Sequence, residues 1–190
     1  MKGTSKLKEA TMGQHKAAEE QPFVGMMFGG QLSEQSYAIY LHNQIIQYQV
    51  LESAAHEEGM LEELPDIARV PGMIKDFDEL YDGETELPVL STTKRFVEYI
   101  ESLDKTDFLY THKLMAHLYT RHMGDLMGGQ MLAKRVPGSS AMYEFADPDA
   151  LKAAIRAKLD DSMTPEVKFA YEIATRTFVE MLPYANVKTT

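Results

Sequence analysis

Asp125 stands in the stretch YTRHMGDLMGGQ, residues 119–130, with Gly124 before it and Gly128 and Gly129 three and four residues after it. On a helix those offsets share a face, so the carboxylate and the bare backbone positions belong to one surface. Glycine in a helix costs roughly 1 kcal/mol relative to alanine, so this cluster needs a reason. Without Cβ atoms, a flat ligand can lie at van der Waals distance from the main chain, and the helix can kink. A carboxylate beside such a platform can hold a water against the ligand without touching it. A close helix–helix crossing is the plainer use of the same glycines.

Two further sets of side chains have suggestive spacing. Lys8, Thr11, Met12, His15 and Glu19 form one stripe at three- and four-residue steps. A carboxylate four residues after a histidine can orient the imidazole, often through water, and leave its other nitrogen to ligate a metal. The plainer reading is a surface pair contributing a few tenths of a kcal/mol. Lys152 and Arg156 lie one turn apart and could bracket two carboxylates, or belong with Lys158 to a solvated basic face. His42, His56, His112, His117 and His122 carry no such pattern and read as exposed or satisfied in packing. Taken together, the three sets describe a site for a flat, dianionic, iron-bearing ligand.

Other chemistries find no support. The chain has no G-x-S-x-G elbow, no H-E-x-x-H and no P-loop. A di-iron carboxylate site wants Glu-x-x-His pairs on two helices, whereas Glu52 and His56 are four apart and nothing mirrors them. With no cysteine, disulfides, thiolate metal sites and cysteine nucleophiles are excluded. A net charge of −10 argues against nucleic acid as a partner. No apolar run is long enough to span a bilayer, the segment MKGTSKLKEAT has no signal-peptide character, and LPYANVKTT carries no anchor. A soluble, cytoplasmic protein without a membrane anchor is expected.

The elements that must position these groups read as helices. The 190 residues, 44% hydrophobic and 25% charged, suit one domain spanning 1–190. Residues 5–20 form an amphipathic pattern ending before Pro22. Ser33 and Ser36 cap a long helix through Glu58, in which Tyr37, Tyr40, Leu41, Gln44, Ile45, Tyr48, Leu51 and Ala55 recur at helical spacing. Pro65, Pro71 and Pro88 punctuate shorter elements over 59–90, and STTKRFVEYIESL opens another helix near Ser91. Residues 108–135 contain the glycines and end at Pro137–Gly138. Asp147–Pro148 and Thr164–Pro165 start the last two helices. No stretch alternates convincingly as a strand. The expectation is an all-α single domain of about six to eight helices.

YTRHMGDLMGGQML resembles the distal-helix motif of the haem oxygenases, commonly Y-T-R-Y-L-G-D-L-S-G-G-Q, and LKEATMGQHKAAEE resembles their proximal-helix segment. YQVLE at 48–52, ALKAAIRAKLDDSMTPE at 150–166 and the region of Phe178 follow in the family's order, so nearly the whole chain is covered. The resemblance implies a helical bundle with haem b, both substrate and cofactor, between a proximal and a kinked distal helix. It implies O2- and electron-dependent opening of haem to biliverdin, as the IX-alpha isomer, with carbon monoxide and ferrous iron. His15 matches the axial ligand and Glu19 the carboxylate near it. Lys8, Tyr119, Lys152 and Arg156 match positions that contact the propionates, the 152/156 match requiring a one-residue deletion before MTPE. Gly124, Gly128 and Gly129 match the distal platform, and Phe178 a haem-contacting position. Asp125 matches the aspartate that orders distal water, with Arg121 and Tyr48 in support.

Two residues depart from the pattern: His122 stands where tyrosine is common and Met127 where serine is common. His122, three residues before Asp125, could join the water network or shift its proton affinity, or be a tolerated packing change. The chain has no flavin or nicotinamide motif, so electrons must come from an external donor. A soluble ferredoxin meeting a local basic patch of Lys8, Lys134, Arg135, Lys152, Arg156 and Lys158 is expected, with the enzyme a monomer. The competing class is a carrier or sensor that binds haem without turnover, for which Asp125 would have no use. A helical relative with different chemistry would need a carboxylate-rich metal set or a cysteine nucleophile.

Overall fold

Eight α-helices make up the fold among residues 3–186, which the computed structural model describes. They are α1 (Gly3–Glu19), α2 (Pro22–Phe28), α3 (Glu34–Glu57), α4 (Val70–Leu80), α5 (Ser91–Ser102), α6 (Tyr110–Leu132), α7 (Pro148–Ala157) and α8 (Thr164–Met181). Short 3-10 turns occupy Met60–Glu63, Ala141–Tyr143, Asp161–Met163 and Leu182–Tyr184. The all-α expectation is met.

Local chemistry starts several helices where the sequence places them. Ser33 Oγ accepts the backbone N–H of Ser36 at 3.2 Å, satisfying one of the free donors of the first turn of α3. Asp147 accepts from Ala150 N at 2.9 Å ahead of Pro148, the first residue of α7. Helices α5 and α8 begin at Ser91 and Thr164 as expected, each without a side-chain cap. The cap of α5 is Leu90, whose own N–H goes to Asn43 Oδ1 at 2.9 Å, and Ser91 is the first helical residue. The cap of α8 is Met163, and the Thr164 hydroxyl donates back to Asp161 O at 2.7 Å. Helix α6 ends at Leu132, well before Pro137, because the Leu132 carbonyl takes Arg135 N at 2.8 Å and Val136 N at 2.9 Å and turns the chain.

Helix α3 runs through the interior. Residues Ser36, Tyr37, Ala38, Ile39, Tyr40 and Leu41 are all buried, which a helix with one wet face could not achieve. It packs on α4, α5 and α6. Helix α8 is the second organiser, in contact with both α1 and α6. Phe96, Leu114, Leu118, Ile155 and Val167 belong to one apolar cluster; Phe23, Tyr37, Leu41, Met73 and Met142 belong to the other. The chain's end is tied to the start of α3: Ser36 Oγ donates to Tyr184 O at 2.8 Å and accepts Asn186 N at 2.7 Å.

Candidate active site

Because α1 and α6 both pack on α8, they leave a cavity of about 580 Å³ bounded by α1, α2, α3, α6 and α8. That volume lies within the roughly 300–1,000 Å³ usual for small-molecule sites. Its walls are largely apolar, with Met27, Phe28, Tyr40, Leu159, Tyr171 and Phe178 among them.

His15 lines the cavity from α1. Its Nδ1 is buried 3.3 Å from Glu19 Oε2, in a geometry that falls short of a hydrogen bond, and finds no other protein partner. The ring meets Tyr171 edge-on at 5.5 Å between centroids. Glu19 therefore stands beside Nδ1 without hydrogen-bonding it, and Nε2 is the ring nitrogen with no carboxylate next to it.

Helix α6 supplies the facing groups and is continuous through its glycines. A Cβ built at Gly124 would meet nothing within 4 Å, and one at Gly128 only Phe28 Cζ at 3.8 Å. Both line the cavity, so their missing side chains are space in the site. Gly129 departs from the expectation for the platform. It is buried, and a Cβ there would overlap the Tyr143 ring, 3.1 Å from Cγ. Its bareness serves the close packing of Tyr143, the alternative use of a helical glycine.

Asp125 is held by α3. The Tyr48 hydroxyl donates to Asp125 Oδ2 at 2.7 Å. Burial pushes the Asp125 carboxyl up to about 6, against the lowering effects of the Tyr48 hydrogen bond and then of His122, Arg69 and Arg121. A carboxyl near 6 can both hold and release a proton close to neutrality. Arg121 lines the cavity but pairs with no carboxylate among the described residues. Its Nη2 donates to Gln47 Oε1 at 2.6 Å, and the guanidinium lies over the Phe96 ring at 4.3 Å and the Tyr48 ring at 5.5 Å. Gln47 passes the chain on to Thr93 at 2.8 Å, and Thr93 to Asn43 at 2.9 Å. Arg121 therefore braces Tyr48 from behind.

Of the expected cations, Lys8 and Arg156 line the cavity, as does Tyr119. Lys152 does not: its ammonium pairs with Asp149 at 3.0 Å. Lys158 pairs with Glu63. Of the expected pair on α7, only Arg156 reaches the cavity, and Lys8 lines it from α1. Sequence reasoning missed Tyr40, Tyr143 and Tyr171, which read simply as core aromatics. It also missed the partner of Glu52, which is His122 of α6 at 3.0 Å rather than anything on its own helix.

The residues fit a flat, iron-bearing dianion. One wall offers an imidazole with Glu19 beside its Nδ1, another a backbone with open space at two glycines, and two cations reach the cavity.

Comparison with known proteins points to one family. The family model described as Heme oxygenase matches residues 1–179. A Heme oxygenase of Guillardia theta is 28% identical over 92% of this chain and 84% of its own length. Heme oxygenase from Leptospira interrogans superposes with a TM-score of 0.78 at 25% identity, covering 92% of this chain and 97% of that one. Heme oxygenase-1 from the cyanobacterium Synechocystis sp. PCC6803, solved in complex with heme, superposes with a TM-score of 0.80 at 24% identity over 94% of this chain and 91% of that one.

Proposed function

This chain belongs to the haem oxygenase family, and from that premise we propose how its own residues carry the family's reaction, the oxidative cleavage of haem to biliverdin. The observation that carries the assignment of roles is that His15 of α1 and Asp125 of α6 line one cavity whose wall at Gly124 and Gly128 is bare backbone. Haem supplies the iron at which oxygen is activated and is itself the skeleton that is cut.

His15 would hold the iron of bound haem, with Glu19 beside its Nδ1 steadying the ring. An imidazole ligand would leave the opposite side of the iron open for O2 chemistry supplied by the haem. Arg156 and Lys8 face the substrate's carboxylates and set its rotation in the cavity, which selects the α isomer. Gly124 and Gly128 let the macrocycle lie against α6, and Phe178 and Tyr119 close the apolar walls.

Asp125 acts through water as the proton carrier of the distal side. Tyr48 holds Oδ2, so the remaining carboxylate oxygen is the one left for water. Arg121 keeps Tyr48 in place through ring contact and does not compete for the carboxylate. Delivery through water, without direct contact, supplies protons while keeping a strong acid away from the oxygen–oxygen bond.

Electrons come from outside the chain. A small soluble ferredoxin is the donor we infer, docking at the rim where Lys8 and Arg156 lie, with Lys134 and Arg135 after α6. Every group named comes from one chain, so the site is complete in a monomer folded as one domain. No helix among the described residues is long and apolar enough to cross a membrane.

An absorption titration with haemin, followed by reductant under air, tests the reading. A Soret band that decays into biliverdin absorption is expected for the natural sequence. His15→Ala should still take up haem but turn it over only when imidazole is added. Full activity of His15→Ala without imidazole would remove His15 from the iron.

A further inference from the structure

His122 is fully buried, and each of its ring nitrogens faces an oxygen. Nδ1 lies 3.1 Å from the Leu118 carbonyl, which can only accept. Nε2 lies 3.0 Å from Glu52 Oε1. Glu52 is itself buried and already accepts two backbone donors, Arg69 N on Oε1 at 2.7 Å and Val70 N on Oε2 at 3.4 Å. A carboxyl that receives N–H groups on both oxygens is held as a carboxylate. Two acceptors on two ring nitrogens require two donors, so the imidazole carries both protons. The pair is neutral as a whole, with its negative end on Glu52 and its positive end on His122.

That positive end is aimed at the distal site. The His122 ring packs against the Tyr48 ring at 4.9 Å between centroids, and Tyr48 is the donor to Asp125. Asp125 follows His122 by three residues on α6, so the two share a face. The other titratable groups around Asp125 are Tyr37, Tyr40 and Tyr48 of α3, Arg121 of α6, Arg69 ahead of α4 and Tyr143 after α6. Arg69 is committed elsewhere, its guanidinium bonded to Asp66 and to the carbonyls of Met142 and Glu144.

We propose that Glu52 and His122 form a buried imidazolium–carboxylate pair that positions Tyr48 and supplies the fixed positive charge against which Asp125 holds its proton. His122 is then a positioning residue in a place where resembling sequences commonly carry an uncharged tyrosine. After burial and the Tyr48 hydrogen bond, His122 is the largest of the influences on the Asp125 carboxyl, and it lowers it. The proposal rests on the reading of Asp125 as the distal proton carrier only for its consequence in turnover; the pair itself can be observed without haem.

The experiment uses haem-free protein with labelled histidine and aspartate. Nitrogen-15 spectra at pH 7 should show both ring nitrogens of His122 protonated. The carboxyl carbon of Asp125 should titrate at a higher pH in His122→Tyr and in His122→Phe than in the natural sequence, by at least about half a unit, a shift well within the range seen for protein carboxyls. Tyrosine keeps a hydroxyl for Glu52 and fills the space, so a merely structural role would be restored by it and a charge would not. Glu52→Gln should release the second proton of His122 and move Asp125 the same way. A single protonated nitrogen on His122, or an Asp125 midpoint in His122→Tyr equal to that of the natural sequence, overturns the proposal. With haem and reductant, the pH profile of biliverdin formation should move in step with the midpoint. A moved midpoint with an unmoved profile supports the pair and instead overturns Asp125 as the reaction's proton carrier.

Discussion

Replacing Asp125 by asparagine should make the haem-free protein more stable while ending turnover. Burial holds the Asp125 carboxyl at about 6, against an ordinary 3.8. Folding therefore binds this proton more tightly than the unfolded chain does. The associated stability is complete below about pH 4 and is lost as pH rises through 6. About two pH units at 1.36 kcal/mol each give a ceiling of roughly 3 kcal/mol lost at neutral pH. Water entering the cavity reduces this, so a gain of about 1–3 kcal/mol is expected for Asp125→Asn at pH 7.5. Asparagine keeps an oxygen to accept the Tyr48 hydroxyl and carries no charge to bury. For a chain of this length each kcal/mol moves Tm by about 2–4 °C. Urea unfolding of both proteins at pH 4 and pH 7.5 is the assay. The two curves should nearly coincide at pH 4 and separate at pH 7.5, with asparagine the more stable. Parallel pH slopes, or a less stable variant at pH 7.5, would refute the idea that an ionised Asp125 is held at the expense of the fold. The same variant should bind haem and form no biliverdin.

The glycines of α6 should separate into two kinds. Gly124→Ala adds a methyl where nothing lies within 4 Å, so the free protein should gain up to about 1 kcal/mol in helix propensity while haem affinity and turnover fall. Gly129→Ala drives a methyl into Tyr143 and should lose about 1–3 kcal/mol in thermal or urea unfolding. Among the cations, Arg156→Glu should weaken haem binding and mix the biliverdin isomers seen by chromatography, whereas Lys152→Glu, at a residue already paired with Asp149, should change either much less. Turnover driven by ferredoxin should fall steeply with salt as the Debye length shrinks to about 3 Å at 1 M, while turnover driven by ascorbate stays nearly level. Equal salt sensitivity for both donors would remove the basic rim as the docking site.

What could be read from the sequence was whatever lies within one or two turns of the chain. The Ser33 and Asp147 caps, the His15–Glu19 step and the open faces of Gly124 and Gly128 all follow from offsets of three or four residues. What could not be read depends on which element arrives opposite. Gly129 carries the same local signal as Gly128, and only the approach of Tyr143 assigns it to packing. Glu52 has His56 one turn away, yet its partner is His122 on a different helix. Lys152 is the exception that a stricter local reading would have caught, because Asp149 stands three residues before it. The buried chain from Arg121 through Gln47 and Thr93 to Asn43 left no trace in periodicity, since polar residues in a helical pattern are ordinarily assigned to solvent.

The packing of α1 on α8, and the tie from Ser36 to Tyr184 and Asn186, bear on how the protein is made. A ribosome releases α1 first and α8 last, and chains fold as they emerge at about 5–20 residues per second. The histidine helix meets α2 early, but its main partner is available only when the helix carrying Tyr171 leaves the exit tunnel. The start of the central helix in turn stays open until Tyr184 and Asn186 arrive. The cavity is complete only once α8 has emerged and packed, so a chain cut short before α8 would leave His15 without the surface that presents it.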